Sequence, residues 1–113
     1  MSSEQMEMLG RASFVQRMAE MLLDCGSVDP DCDRRVLGTM VAEALDEAEQ
    51  NGIKTERLMG MYVILKISDG IDPYMVPEYA KVLQAPTLEE ADKAHLIQML
   101  RIGELSPADL VDL

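Results

Sequence analysis

Apolar residues recur at three- and four-residue spacing along most of this chain, a pattern that predicts successive helices. The first runs from about Gln5 to Asp24, with Phe14, Val15, Met18, Met21, Leu22 and Cys25 on one stripe and Gly26 placed to stop it. The second is predicted to begin at Asp29-Pro30, an acidic cap followed by proline at the first helical position. Its apolar face would carry Val36, Leu37, Met40, Val41, Ala44, Leu45 and Ala48, and Asn51-Gly52 would end it. Thr55 can cap a third helix, whose stretch from Leu58 to Ile67 is apolar nearly all round and reads as the central, most buried element. Tyr62-Val63-Ile64 would also suit a strand, but the Thr55 start and the length favour helix.

Beyond Asp69-Gly70, the prolines at 73 and 77 predict a turn and then a short helix from Pro77 to Leu83, closed by Pro86. Thr87-Leu88-Glu89-Glu90 reads as a capping box that opens a helix lasting to Ile102, with Gly103 as its stop. Ser106-Pro107-Ala108-Asp109 would start a last turn, leaving Leu110, Val111 and Leu113 to dock. The expected fold is all-α: one domain over residues 1–113, a bundle of four to five helices with a short C-terminal helical turn. Its ends, about 1–5 and 104–113, are expected to be flexible.

Composition narrows the class of job. The 113 residues include 21 acids against 10 Lys plus Arg, a formal net charge of −11. That excess argues against nucleic acid, whose binding rests on cationic contacts to phosphates. The chain has no apolar run of about 18 residues to span a membrane, and its start lacks the pattern of a signal peptide. A cytoplasmic protein is the expectation. With ten methionines and only four aromatic residues, the core is expected to be adaptable more than rigid. Cys25 and Cys32 are too few for a disulfide framework and read as free thiols.

Candidate chemistry is sparse. Asp29-x-Asp31-x-Asp33 opens like a calcium loop, but Arg34 and Met40 stand where that loop needs glycine and a bidentate glutamate. His95 is the sole histidine, and its reading as a general base oriented by Asp92 lacks a nucleophile tied to the pair. A histidine packing its ring at the edge of the apolar stripe is the expectation. Cys25 and Cys32 lack the cationic surroundings of a reactive thiolate, apart from Arg34 and Arg35. The expectation is therefore a protein that is not an enzyme, with no cofactor and no metal.

Two features point instead to binding. Glu43, Asp46, Glu47 and Glu49 crowd the C-terminal half of the second helix, where the macrodipole favours cations, and no base lies between Arg35 and Lys54. They read either as a solvated face or as an address for a basic partner. Met6, Met8 and Leu9 extend the first helix beyond its regular stripe, and exposed methionines suit an adaptable groove. Gly38 and Gly60, inside predicted helices, suggest close helix–helix contact.

Across roughly residues 12–85 the chain carries Ser13-Phe14-Val15-x-Arg17-Met18, an amphipathic helix, Asn51-Gly52-Ile53-Lys54-Thr55-Glu56, Tyr62, Gly70-Ile71-Asp72 and Val82-Leu83. This order resembles the small helical bacterial proteins encoded beside type VI secretion spike, adaptor and effector genes. The chain departs from the pattern at Ile71, where an aromatic residue would be expected, and in the tail after Thr87. The resemblance implies an accessory or co-chaperone protein that binds a secretion effector or its adaptor. The runner-up is an immunity protein or antitoxin masking a basic toxin. A structural or regulatory homo-oligomer is a third reading. No catalytic residue follows from the resemblance.

Overall fold

The computed structural model describes residues 3–110, with side chains from residue 10 onward. Five α-helices follow one another: α1 (Ser3–Asp24), α2 (Arg34–Gln50), α3 (Glu56–Val63), α4 (Pro77–Leu83) and α5 (Glu90–Arg101). A π-helical turn (Ile64–Ser68) prolongs α3, and 3-10 turns lie at Pro73–Met75 and Pro107–Leu110. Among the described residues there is no strand, so the chain is an all-α bundle.

Two apolar clusters hold it together, and α3 is the wall they share. On one side Phe14, Met18 and Leu22 of α1 pack with Leu37, Val41, Ala44 and Leu45 of α2 and with Val63. On the other, Leu58 and Tyr62 of α3 meet Tyr79, Val82 and Leu83 of α4 and Ala94 and Ile97 of α5. Leu110 closes this second cluster and is buried, so the last 3-10 turn docks on its own bundle. The Val111 and Leu113 contacts lie outside the described residues. The molecule is only 19 Å thick along its shortest axis. Helices about 10–12 Å across with their side chains stack barely two deep in that space, so α2 has little to cover its outer side.

The helix stops fall where glycine allows a left-handed residue. Gly52 has φ +85°, and beyond it the Ile53 amide donates to the Ala48 carbonyl at 3.1 Å. At the start of α3 the Leu58 amide donates to Thr55 Oγ1 at 3.4 Å, the cap expected there.

Several boundaries differ from the expectation, each for a local reason. The second helix starts at Arg34, four residues beyond Pro30. The Asp29 carboxylate accepts from the Asp31 amide in a tight turn, and Asp33 caps the helix by accepting from Arg35 N. The third helix is regular only to Val63, because the Asp69 amide donates five residues back, to Ile64 O at 3.2 Å. The Thr87–Glu90 capping box does not form. α5 begins at Glu90 with no side-chain cap, and the Glu90 carboxylate reaches across to the start of α3. Gly38 and Gly60 are not forced by contact either. A methyl group at Gly38 would meet nothing within 4 Å, and at Gly60 only Met18 Sδ at 3.7 Å.

Candidate protein-docking surface

Large apolar side chains stand in solvent as a pair on the first half of α2, and singly at Met75 and Ile102. Val36 is 56% and Met40 45% exposed, a correction to the expectation that both lie on the buried face. The helical wheel explains the error. At about 100° per residue, Leu37, Val41, Ala44, Leu45 and Ala48 share an arc, and Val36 and Met40 stand roughly 90–130° from its centre. Apolar residue type alone does not separate them from the buried set; their angle on the helix does. Cys25, placed on the α1 stripe, is likewise exposed, since the chain has already left the helix at Asp24.

Val36 and Met40 line a shallow groove of about 340 Å³ between α2, the α1–α2 connection and the π turn. Val28 and Cys32 form one wall, and Leu37 with Ile67 the floor. Asp29 and Asp33 stand at its rim. On the opposite flank of α2 a second groove of about 280 Å³ runs against α1, with Val15, Ala19 and Leu23 facing Gly38. The bare α-carbon of Gly38 leaves that flank open.

The acidic half of α2 is different from its appearance in sequence. Arg11 of α1 pairs with Asp46 and, at 2.6 Å, with Glu49. Lys66 of the π turn pairs with Glu47 at 3.1 Å. The bases absent from the helix itself arrive from neighbouring elements, which periodicity along one helix cannot reveal. Only Glu43 of the four acids has no ion pair among the described residues, and it is exposed. The Met6, Met8 and Leu9 side chains lie outside those described.

Beneath the Glu47–Lys66 pair sits Tyr62, 1% exposed. Its hydroxyl is the one buried side-chain polar atom without a hydrogen-bond partner among the described residues. Burial pushes the phenol pKa upward, and the nearby Glu47 and Asp72 carboxylates push it further. Glu47 is close enough for that influence, but both of its oxygens face Lys66 Nζ, at 3.1 and 3.3 Å. Among the described residues no acceptor meets the phenol oxygen in hydrogen-bonding geometry.

The remaining polar contacts are braces between elements. Glu90 accepts from the Lys54 amide (3.0 Å), the Thr55 amide (2.8 Å) and the Thr55 hydroxyl (2.8 Å). Partial burial pushes the Glu90 carboxyl up, but those bonds, with Lys93 nearby, outweigh it and the net pKa is lowered. Arg101 grips Asp69 with two bonds of 2.8 and 3.0 Å, a cation at the C-terminus of α5 where the helix dipole favours it. His95 and Asp92 are both exposed on α5, so the expected packing of the histidine ring is corrected. Position 95 points away from the face that buries Ala94 and Ile97. Among the described residues no group of three or more His, Cys, Asp or Glu is arranged to hold a metal. Likewise, no helix there is long and apolar enough to cross a membrane.

Comparison with protein-family models, curated proteins and solved structures returned no match to this chain.

Proposed function

We propose that this chain is a non-catalytic protein-interaction module that seats a partner in the groove beside the first half of α2. The observation that carries the reading is the pair Val36 and Met40, large apolar side chains left in solvent along a groove with an apolar floor. Scattered exposed apolar residues need no explanation, but a contiguous lined groove is the usual form of a binding surface. Met40 adds an adaptable contact, since an unbranched thioether fills irregular gaps. The resemblance across residues 12–85 points to a type VI secretion effector or its adaptor as the partner, with this chain as accessory or co-chaperone.

The rival reading, an immunity protein masking a basic toxin, drew on the acidic half of α2. Arg11 and Lys66 take up three of those acids, which leaves less uncompensated charge there. The two roles separate in cells. A co-chaperone is needed for effector loading, and its deletion does not poison the cell; an immunity protein rescues cells that express the toxin.

Co-expression with type VI secretion effectors and adaptors from the chain's own host, followed by affinity purification, tests the docking surface. Val36→Asp and Met40→Asp should abolish co-purification while circular dichroism stays unchanged, because both positions are solvent-exposed. Undiminished co-purification of both variants would refute the groove as the docking surface.

A further inference from the structure

Resting on that docking reading, we propose that the groove's occupant is a cationic amphipathic segment, with apolar side chains for the floor flanked by Lys or Arg. The floor and walls supply Val28, Val36, Met40 and Ile67. The charged residues that line the groove are of one sign. Asp29 and Asp33 stand at the rim, and Asp31 is exposed between them on the same connection. At the far end, Glu43 follows Met40 by one turn. At about 100° per residue, Val36, Met40 and Glu43 fall within roughly 60° of one another, so they form one stripe on α2. Glu43 has no cation of its own among the described residues, and the cations that relieve this helix, Arg11 and Lys66, are spent on Asp46, Glu49 and Glu47. Arg34 lines the opposite groove, against α1.

An apolar trough with acids at both ends selects by charge. A neutral or acidic segment would bury its apolar side chains there while leaving those carboxylates unmatched or repelled. A second copy of this chain is a poor occupant for the same reason, since it would bring a net charge of −11 against another −11. A cationic segment gains in both respects: its apolar anchors are buried and its charges steer it into register. The stripe from Val36 to Glu43 is roughly 10 Å long at 1.5 Å per residue, room for two turns of a docked helix.

The test uses the full chain and three synthetic amphipathic peptides of about 14 residues, four turns of helix. All three share one leucine spacing, and their polar faces are lysine, glutamine or glutamate. Isothermal titration or fluorescence anisotropy should show the lysine peptide binding at least about tenfold more tightly than the other two, with a preference that shrinks as salt rises. Met40→Asp, with Val36→Asp as a second variant, should weaken the lysine peptide by about tenfold although it adds negative charge. Replacing Asp29 and Asp31 with asparagine and Glu43 with glutamine should reduce the lysine preference to within about threefold.

Equal binding of the glutamine peptide would overturn the cationic assignment and leave the docking reading standing. Lysine-peptide binding unchanged in both aspartate variants would show attraction to overall charge, and would overturn the groove as its seat. No binding by any peptide overturns the inference, whereas the docking reading stands or falls on co-purification. A dimer in sedimentation that Met40→Asp dissolves would assign the groove to a second copy, which also overturns it.

Discussion

Replacing Glu90 should loosen the joint between α5 and the start of α3. Its carboxylate, from the first turn of α5, accepts the Lys54 and Thr55 amides and the Thr55 hydroxyl at 2.8–3.0 Å. Thr55 is itself the residue that caps α3, so one side chain fixes both the entry of α3 and the seat of α5. Hydrogen bonds to an ionised acceptor contribute about 1.5–3 kcal/mol each when buried, but these are partly solvated and water replaces the acceptor after truncation. Glu90→Ala should therefore cost roughly 1–3 kcal/mol, comparable to losing one or two helix caps. In a chain of this size that lowers Tm by about 4–12 °C. The pKa of Glu90 is lowered in the fold, so its contribution is complete above the unfolded carboxylate range and is lost as pH falls through the folded value. Urea denaturation at pH 7 and again below pH 4 checks both parts. The gap between wild type and Glu90→Ala should narrow in acid, and Glu90→Gln, which keeps an acceptor without charge, should fall between them at pH 7. A Glu90→Ala loss under about 0.5 kcal/mol at pH 7, or a gap that widens in acid, would refute the reasoning.

Two further substitutions test the interior and the acidic face. Tyr62→Phe removes a buried hydroxyl that has no partner among the described residues, so the variant should be as stable as wild type or more so by up to about 1 kcal/mol, the reverse of the usual effect; thermal denaturation reads this directly. Arg11→Ala strands Asp46 and Glu49, yet all three side chains are about a third or more exposed. Its cost should stay below about 1 kcal/mol and fade in high salt, as urea titrations at two ionic strengths will show.

Elements carried by local chemistry were legible in the sequence. Gly52 ends α2, Thr55 starts α3, and α4 spans Pro77–Leu83, because each signal acts within a few residues. Signals that depend on a distant partner were misread. Glu90 stands three residues after Thr87 and looks like its capping partner, but the Lys54 and Thr55 amides lie across the bundle and win the carboxylate. Four acids on α2 look uncompensated in the sequence, but α1 and the π turn bring Arg11 and Lys66 beside three of them, Asp46, Glu49 and Glu47. Val36 and Met40 were assigned inward on residue type, and the structure turns them to solvent. That difference moves the candidate surface from the acidic end of α2 to its beginning.

Amide hydrogen exchange on the full chain, alone and bound to its native partner, tests the docking surface most directly. Slowed exchange confined to residues 28–43 and around Ile67 is the predicted footprint. Protection over residues 44–50 or on α5, with residues 28–43 unchanged, would contradict it.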